Sequence, residues 1–214
     1  MTKLFYFSGG HFSLLFSAAF PHLIDRTICI DIFKPLSYHG EKWANKVERI
    51  TEMHRKFESS FSNDPSTNAK VPVYSEPDAI KRMMEAHGNS LNEESAKALM
   101  IRGTQKHKWG VTFSRDVRLK IPSVDPPPTD EQMLKFMSNI RSDLLIIRAR
   151  QTPYHLPEDV RLKFYDVYQN NCRYFKDVLL DGTHHLHMNN PDKVGPVIND
   201  FITESLLLNL KPSL

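Results

Sequence analysis

Three histidines, His184, His185 and His187, fall within four residues of one another in the stretch Asp181-Gly182-Thr183-His184-His185-Leu186-His187-Met188. Imidazole is the side chain best suited to take up and return a proton near neutral pH, and in its neutral form it also ligates metals. Zinc sites use such residues too, but no carboxylate or cysteine sits at a supporting helical spacing here. No metal and no cofactor is therefore expected. A general base needs a nucleophile to activate and a carboxylate to orient it. His184 is the candidate base, because it comes first after the apolar run Val178-Leu179-Leu180 and follows Gly182. The competing reading is a polar surface loop.

The elements around this loop set where it can act. Arg26 to Ile32 reads as a short, continuous, β-branched strand, as do Leu144 to Ala149 and Tyr174 to Leu180. Gly9 to Phe20 has the small, apolar composition of a tightly packed helix that Pro21 stops. Pro157 to Asn170 and 191–208 are further helices, the last with Asn190 as cap and Pro191 at its first position. Residues 33–125 lack comparable apolar runs. There Trp43, Val47, Ile50, Phe57 and Phe61 mark one long amphipathic helix. Shorter helices follow near 78–87 and 91–101, the second opening on an expected capping box, Ser90 to Glu93. Ser62 to Pro77 is a polar loop, and Pro122 with Pro126-Pro127-Pro128 forms a stiff connector. Thr129-Asp130-Glu131-Gln132 is a second capping box. Helices alternating with three buried strands predict an α/β fold with a parallel sheet, built from 1–32 and 126–214 and interrupted by a helical insertion at 33–125.

Composition narrows the function. The chain has 214 residues, 40% of them apolar, and 28 basic against 25 acidic side chains. That balance, without a basic run or aromatic-basic interleaving, argues against nucleic acid. No apolar stretch reaches the ~18 residues of a membrane helix. Cys29 and Cys172 lie in apolar strand-like runs and read as reduced thiols, which points to the cytoplasm or another intracellular compartment. A signal peptide over Leu4 to Ala19 is disfavoured, because Ser8-Gly9-Gly10-His11 interrupts its centre. The terminal Pro-Ser-Leu lacks the basic middle residue of a peroxisomal address.

Three stretches carry a resemblance to a known family. Gly9-Gly10 with its small apolar helix, Phe20-Pro21 and Ile28-Cys29-Ile30-Asp31 resembles the segment from a nucleophile elbow into the next strand. Arg102-Gly103-Thr104, with Arg115-Asp116 and Arg118-Leu119, resembles a lid region. Gly182-Thr183-His184 with His187-Met188 resembles a catalytic-histidine loop. The chain is thus similar to the later half of a lidded α/β-hydrolase, most of all to the animal serine hydrolase-like proteins. The resemblance implies acyl-enzyme chemistry on small ester or acyl substrates, with His184 as base. It implies Asp31 as orienting acid, at the carboxyl end of its strand. Asp143 is at the wrong end of its strand, and Glu158 and Asp159 suit a first helical turn.

The nucleophile departs from the pattern. Gly-x-Ser-x-Gly-Gly, in the register of Gly9-Gly10, puts Phe7 where the serine belongs. Ser8 takes that role only if the turn shifts by one residue, which sets Tyr6 at the leading glycine position. His39-Gly40 resembles an oxyanion loop but stands in the wrong chain order. The chain thus looks truncated at its N-terminus, and its first eight residues read as the translated end of an intron. The fragment is expected to be inactive and to self-associate through an exposed sheet edge. The alternative is a non-catalytic binding or scaffold protein that keeps the pocket under the lid, whose candidate aromatics are Phe33, Trp43, Phe57, Phe61, Trp109 and Phe113.

Overall fold

The structure, a computed structural model, describes residues 2–37, 43–60, 72–116 and 128–210. In chain order the first elements are β1 (Thr2–Tyr6), α1 (Ser8–Ala19), β2 (Arg26–Ile30), α2 (Trp43–Ser60), α3 (Glu76–Ala86) and α4 (Glu93–Gly103). A hairpin follows, β3 (Thr104–His107) and β4 (Gly110–Phe113), then α5 (Asp130–Met137) and β5 (Asp143–Gln151). The chain continues with α6 (Glu158–Asn171), β6 (Phe175–Thr183), α7 (Leu186–Asn189) and α8 (Pro191–Leu210). Two compact units result, Met1–Ser37 with Pro128–Leu214, and Tyr38–Pro127.

The first unit is built on a parallel sheet in the order β1-β2-β5-β6. The sheet has four strands where the sequence suggested three. Thr2 to Tyr6 is short and carries no strand-like alternation, and its identity comes from long-range pairing: Thr2 to Tyr6 run in register with Arg26 to Ile30. Period-2 alternation divides the core between the two faces. Cys29, Leu144 and Ile146 pack with Leu14 of α1, Met133 and Met137 of α5, and Phe164 and Tyr168 of α6. Ile28, Ile30, Leu145 and Ile147 face the other way, onto Leu186, Val194 and Phe201. Leu144 to Ile147 are fully buried, each stabilising the sheet by about 1.5–3 kcal/mol relative to exposure. Asp143, at the amino end of β5, is bound by the Arg173 fork at 2.7 and 2.8 Å and accepts the Ser205 hydroxyl, an arrangement that ties the lower rim together.

Side-chain caps open α3, α4 and α5. The Thr129 hydroxyl accepts the Gln132 N–H at 3.2 Å while the Gln132 side chain accepts the Thr129 N–H at 3.0 Å, the capping box expected there. The box expected at Ser90 is corrected. Asn92 caps α4 by accepting the Ser95 N–H at 2.8 Å, and Ser90 donates instead to the His87 carbonyl at 2.7 Å. Gly88 and Asn89, at φ 61° and 55°, end α3 in a left-handed turn that absorbs Ser90.

The second unit is not wholly helical, since β3 and β4 pair antiparallel and Tyr74 bridges to Val111. The polar sequence of β3 gave no sign of this. Ala79, Met100 and Val111 form a core cluster in this unit, with Tyr74 and Phe113 against it. Phe57 and Phe113 are partly buried, whereas Trp109 is exposed. Phe33, grouped with these aromatics on sequence grounds, belongs instead to the sheet unit, where it is buried beside Tyr168. His39-Gly40, the Trp43 side chain, Phe61, Arg118-Leu119, Pro122, Pro126-Pro127 and the C-terminal Pro-Ser-Leu lie outside the described residues, as does most of the loop at 62–77. Among the described residues no helix is long and apolar enough to cross a membrane.

Candidate active site

The site lies where β1, β2, β5 and β6 end, the carboxyl edge at which parallel sheets gather ligands. β2 ends at Ile30, and Asp31 follows with φ 52°. Its own N–H donates to the Ile147 carbonyl at 2.7 Å, and its Oδ1 accepts the Ala149 N–H at 2.8 Å, so β5 grips the residue twice. Its Oδ2 takes the third contact, from His184 Nδ1 at 2.6 Å. A carboxylate only accepts, so the shared proton sits on Nδ1 and the neutral ring carries its lone pair on Nε2. Both side chains are buried, which strengthens a charge-assisted hydrogen bond.

His184 owes its position to the turn after β6. Thr183 is the last paired residue, opposite Gln151. Gly182, at φ 157°, lets the chain fold back so closely that a β-carbon there would lie 3.0 Å from that of Leu186. The Asn189 amide donates to the Thr183 hydroxyl at 3.0 Å and closes the loop. His185 is also buried, and His187 partly so. Among the described residues no group of three metal-binding side chains is placed to hold an ion. Burial, reinforced by the neighbouring His184, lowers the His187 pKa against the opposing pull of Asp31.

The β1–α1 turn faces this dyad. Phe7, between Tyr6 and Ser8, has φ 40° and ψ −104°, a conformation normally left to glycine. Its N–H donates to the Ile30 carbonyl at 3.1 Å and its carbonyl accepts the His11 N–H at 2.9 Å, fastening it between strand and helix. Gly10 permits the turn, because a β-carbon there would collide with Ile32 Cγ2. The Phe7 ring lies 4.6 Å from that of His184, edge to face, and 4.6 Å from that of Tyr154. Tyr154 in turn lies 4.7 Å from His184. Ser8 opens α1 and is exposed, one residue past the apex.

Tyr6 completes the surroundings, its ring 4.9 Å from His184 and 4.2 Å from His187. Its hydroxyl and His187 Nδ1 are buried without a hydrogen-bond partner among the described residues. Burial, then the charge of Asp31, pushes the Tyr6 hydroxyl well above the usual phenol range. The structure thus brings His184, Asp31 and Phe7 together, and it adds Tyr6 and Tyr154. Tyr154 was not singled out from sequence; its signal was an aromatic just past the carboxyl end of a buried strand. Glu158 pairs with Arg161 on the surface, at 2.5 and 3.0 Å.

No family model matches the chain. It is 30% identical over 207 residues to a probable serine hydrolase of Drosophila melanogaster, covering 96% of this chain and 60% of that protein. It is 25% identical over 198 residues to a serine hydrolase-like protein of Danio rerio, covering 91% and 58%. The chain therefore spans about 60% of the length of the curated relatives it matches. Among solved structures, a hypothetical protein of Pseudomonas aeruginosa PAO1 superposes with TM-score 0.75 at 22% identity, over 95% of this chain and 67% of that one. The peroxisomal alpha-beta-hydrolase Lpx1 of Saccharomyces cerevisiae gives 0.62 at 12%, over 100% and 54%. These structures share the fold, a parallel sheet whose carboxyl edge carries the His184–Asp31 pair here. The chain has the α/β-hydrolase fold and is similar in sequence to serine hydrolase-like proteins.

Proposed function

We propose that this is a serine hydrolase-like chain whose general base is assembled and whose nucleophile position is blocked. The observation that carries the reading is Phe7, set in a strained strand-to-helix turn with its ring against His184. A hydrolase of this fold places its serine on such a turn. With a hydroxyl there, His184 takes the proton through Nε2 as the oxygen attacks the carbonyl, then returns it to the leaving group. Asp31 holds the ring and stabilises the imidazolium that forms. The backbone N–H of Ser8, next after the apex, is the natural oxyanion donor. A phenyl ring cannot form the acyl-enzyme, so the chain with Phe7 does not turn over esters. Its relatives' names, serine hydrolase and serine hydrolase-like, support hydrolysis as the family activity.

In the same reading, the Tyr38–Pro127 unit is the lid of the hydrolase, and the chain works in a reducing intracellular compartment. Two free thiols held up to about 12 by burial support that compartment. β1 is an edge strand of the sheet among the described residues, and Leu4, Phe12 and Phe16 are exposed beside it, which supports self-association there. A second reading is a non-catalytic binding protein, favoured by the Phe7–Tyr154 contact that walls off the histidine.

A fluorophosphonate probe reports activated serines. The wild-type chain stays unlabelled, and Phe7→Ser becomes labelled at residue 7. Adding Asp31→Asn to Phe7→Ser then cuts the labelling rate by more than about 100-fold, because the wrong histidine tautomer is favoured. Labelling of the wild type at Ser8 sinks the proposal.

A further inference from the structure

Beside Phe7, on the α6 side of the sheet, the first unit leaves a cleft of about 430 Å³. It falls in the range of small-molecule pockets. Phe7, Tyr154, Leu36 and Leu156 give it apolar walls, and Lys34, Arg148 and Arg161 give it charge. The dyad uses none of these cations.

The cations of the cleft are paired, but their hydrogen-bonding capacity is not used up. Arg148 and Asp177 lie on neighbouring strands with their side chains on one face, and the carboxylate takes Arg148 Nε and Nη2 at 2.7 and 2.8 Å. Arg161 Nη1 approaches the same carboxylate at 3.7 Å. Two guanidiniums, 26% and 19% exposed, thus share one carboxylate that is 7% exposed and does not line the cleft. The remaining counter-charge, Glu158 on Arg161, is 69% exposed and screened by water. Lys34 is matched by Asp130 at 2.9 Å. Asp31, which also lines the cleft, has committed both oxygens to Ala149 and His184.

The cleft therefore offers a spare guanidinium N–H within a cluster whose charges are otherwise paired. Among the described residues Arg148 Nη1 makes no hydrogen bond, while Nε and Nη2 are fixed by Asp177. The Phe33 ring lies 5.8 Å from the Arg148 guanidinium and 6.0 Å from that of Arg161, so both are held in place. A preorganised, partly used guanidinium over an apolar cleft matches a carboxylate attached to a compact apolar body.

We propose that this cleft binds small aryl or short-chain carboxylic acids. The carboxylate sits on Arg148, with Arg161 beside it, and the apolar body lies against Phe7, Tyr154 and Leu156. The inference does not depend on whether the chain hydrolyses anything.

The test is titration of the full chain with phenylacetate and with phenylacetamide, its neutral isostere, by calorimetry and ligand-observed NMR. The acid should bind about 10-fold more tightly than the amide, because its carboxylate takes a charge-assisted hydrogen bond from Arg148. Arg148→Lys keeps a cation opposite Asp177 but removes the fork, and should weaken the acid by about 5-fold or more. Glu158→Gln, a surface change, should tighten acid binding by about 2-fold or more, a gain that a misfolded variant cannot give. Equal affinity for acid and amide, an unchanged Arg148→Lys variant, or no binding of either ligand at about 10 mM overturns the proposal, and none of these depends on probe labelling at residue 7.

Discussion

Replacing Phe7 by glycine should leave the protein more stable than replacing it by alanine, against the usual order. Both substitutions remove the same ring and lose the same contacts with His184 and Tyr154. They differ by one methyl group at a backbone with φ 40° and ψ −104°. A β-carbon held in so sparsely populated a region costs about 1–3 kcal/mol. Glycine gives back about 0.4–1 kcal/mol through the larger entropy of its unfolded chain. The difference leaves Phe7→Gly ahead by about 1 kcal/mol, or about 2–4 °C in Tm for a chain of this size. Thermal unfolding followed by circular dichroism, with urea midpoints as a second measure, reads the difference directly. An alanine variant that melts at or above the glycine variant would show that the turn is not strained, and the assignment of Phe7 to the nucleophile position would lose its physical basis.

Other consequences follow from the same geometry. Gly10→Ala drives a methyl group into Ile32 Cγ2 at the α1–β2 contact and should cost about 1–3 kcal/mol, seen as a lower urea midpoint; an unchanged midpoint refutes the close approach. The folded-state pKa of His187 is lowered by burial from an ordinary value near 6.5. The unfolded chain therefore binds more protons as pH falls through that value. The stability contributed by neutral His187 is present above pH about 6.5 and is lost on acidification. Urea midpoints should fall between pH 7.5 and 5.5, and less so in His187→Phe; identical slopes for the two proteins would rule His187 out.

The sequence carried the sheet's centre and the dyad in different ways. Leu144 to Ile147 is apolar on both faces, the pattern of a buried parallel strand. His184 and Asp31 stood out as polar residues just past such strands, and the 2.6 Å contact between them spans 153 positions. No local pattern encodes that distance; it follows from β2, β5 and β6 pairing in parallel. β1 stayed hidden because its five residues acquire a strand's identity only by pairing with β2. The hairpin of β3 and β4 was hidden for a related reason, since three of the four β3 residues are exposed and leave no apolar period to read. Arg148 and Arg161 likewise draw no attention in sequence, where each is one charged residue among many. Only the fold sets them around a single carboxylate.

The strain at Phe7 separates what the fold requires from what the chemistry requires. The turn is held by the Phe7 N–H on the Ile30 carbonyl, by the Phe7 carbonyl on the His11 N–H, and by the approach of Gly10 to Ile32. None of these contacts involves the side chain at the apex. Helix α1 must begin directly after β1 and pack at once against the residue following Asp31, so the backbone is bent whether the apex bears a hydroxyl or a phenyl ring. The scaffold thus presents residue 7 to His184 regardless of its identity. In the proposed function the missing element is the side chain of residue 7, while His184, Asp31 and the bent turn are in place without it. On that reading the histidine loop and the double glycine indicate the fold rather than turnover. For the same reason one substitution, Phe7→Ser, is a sufficient test of whether the rest of the machinery is in working order.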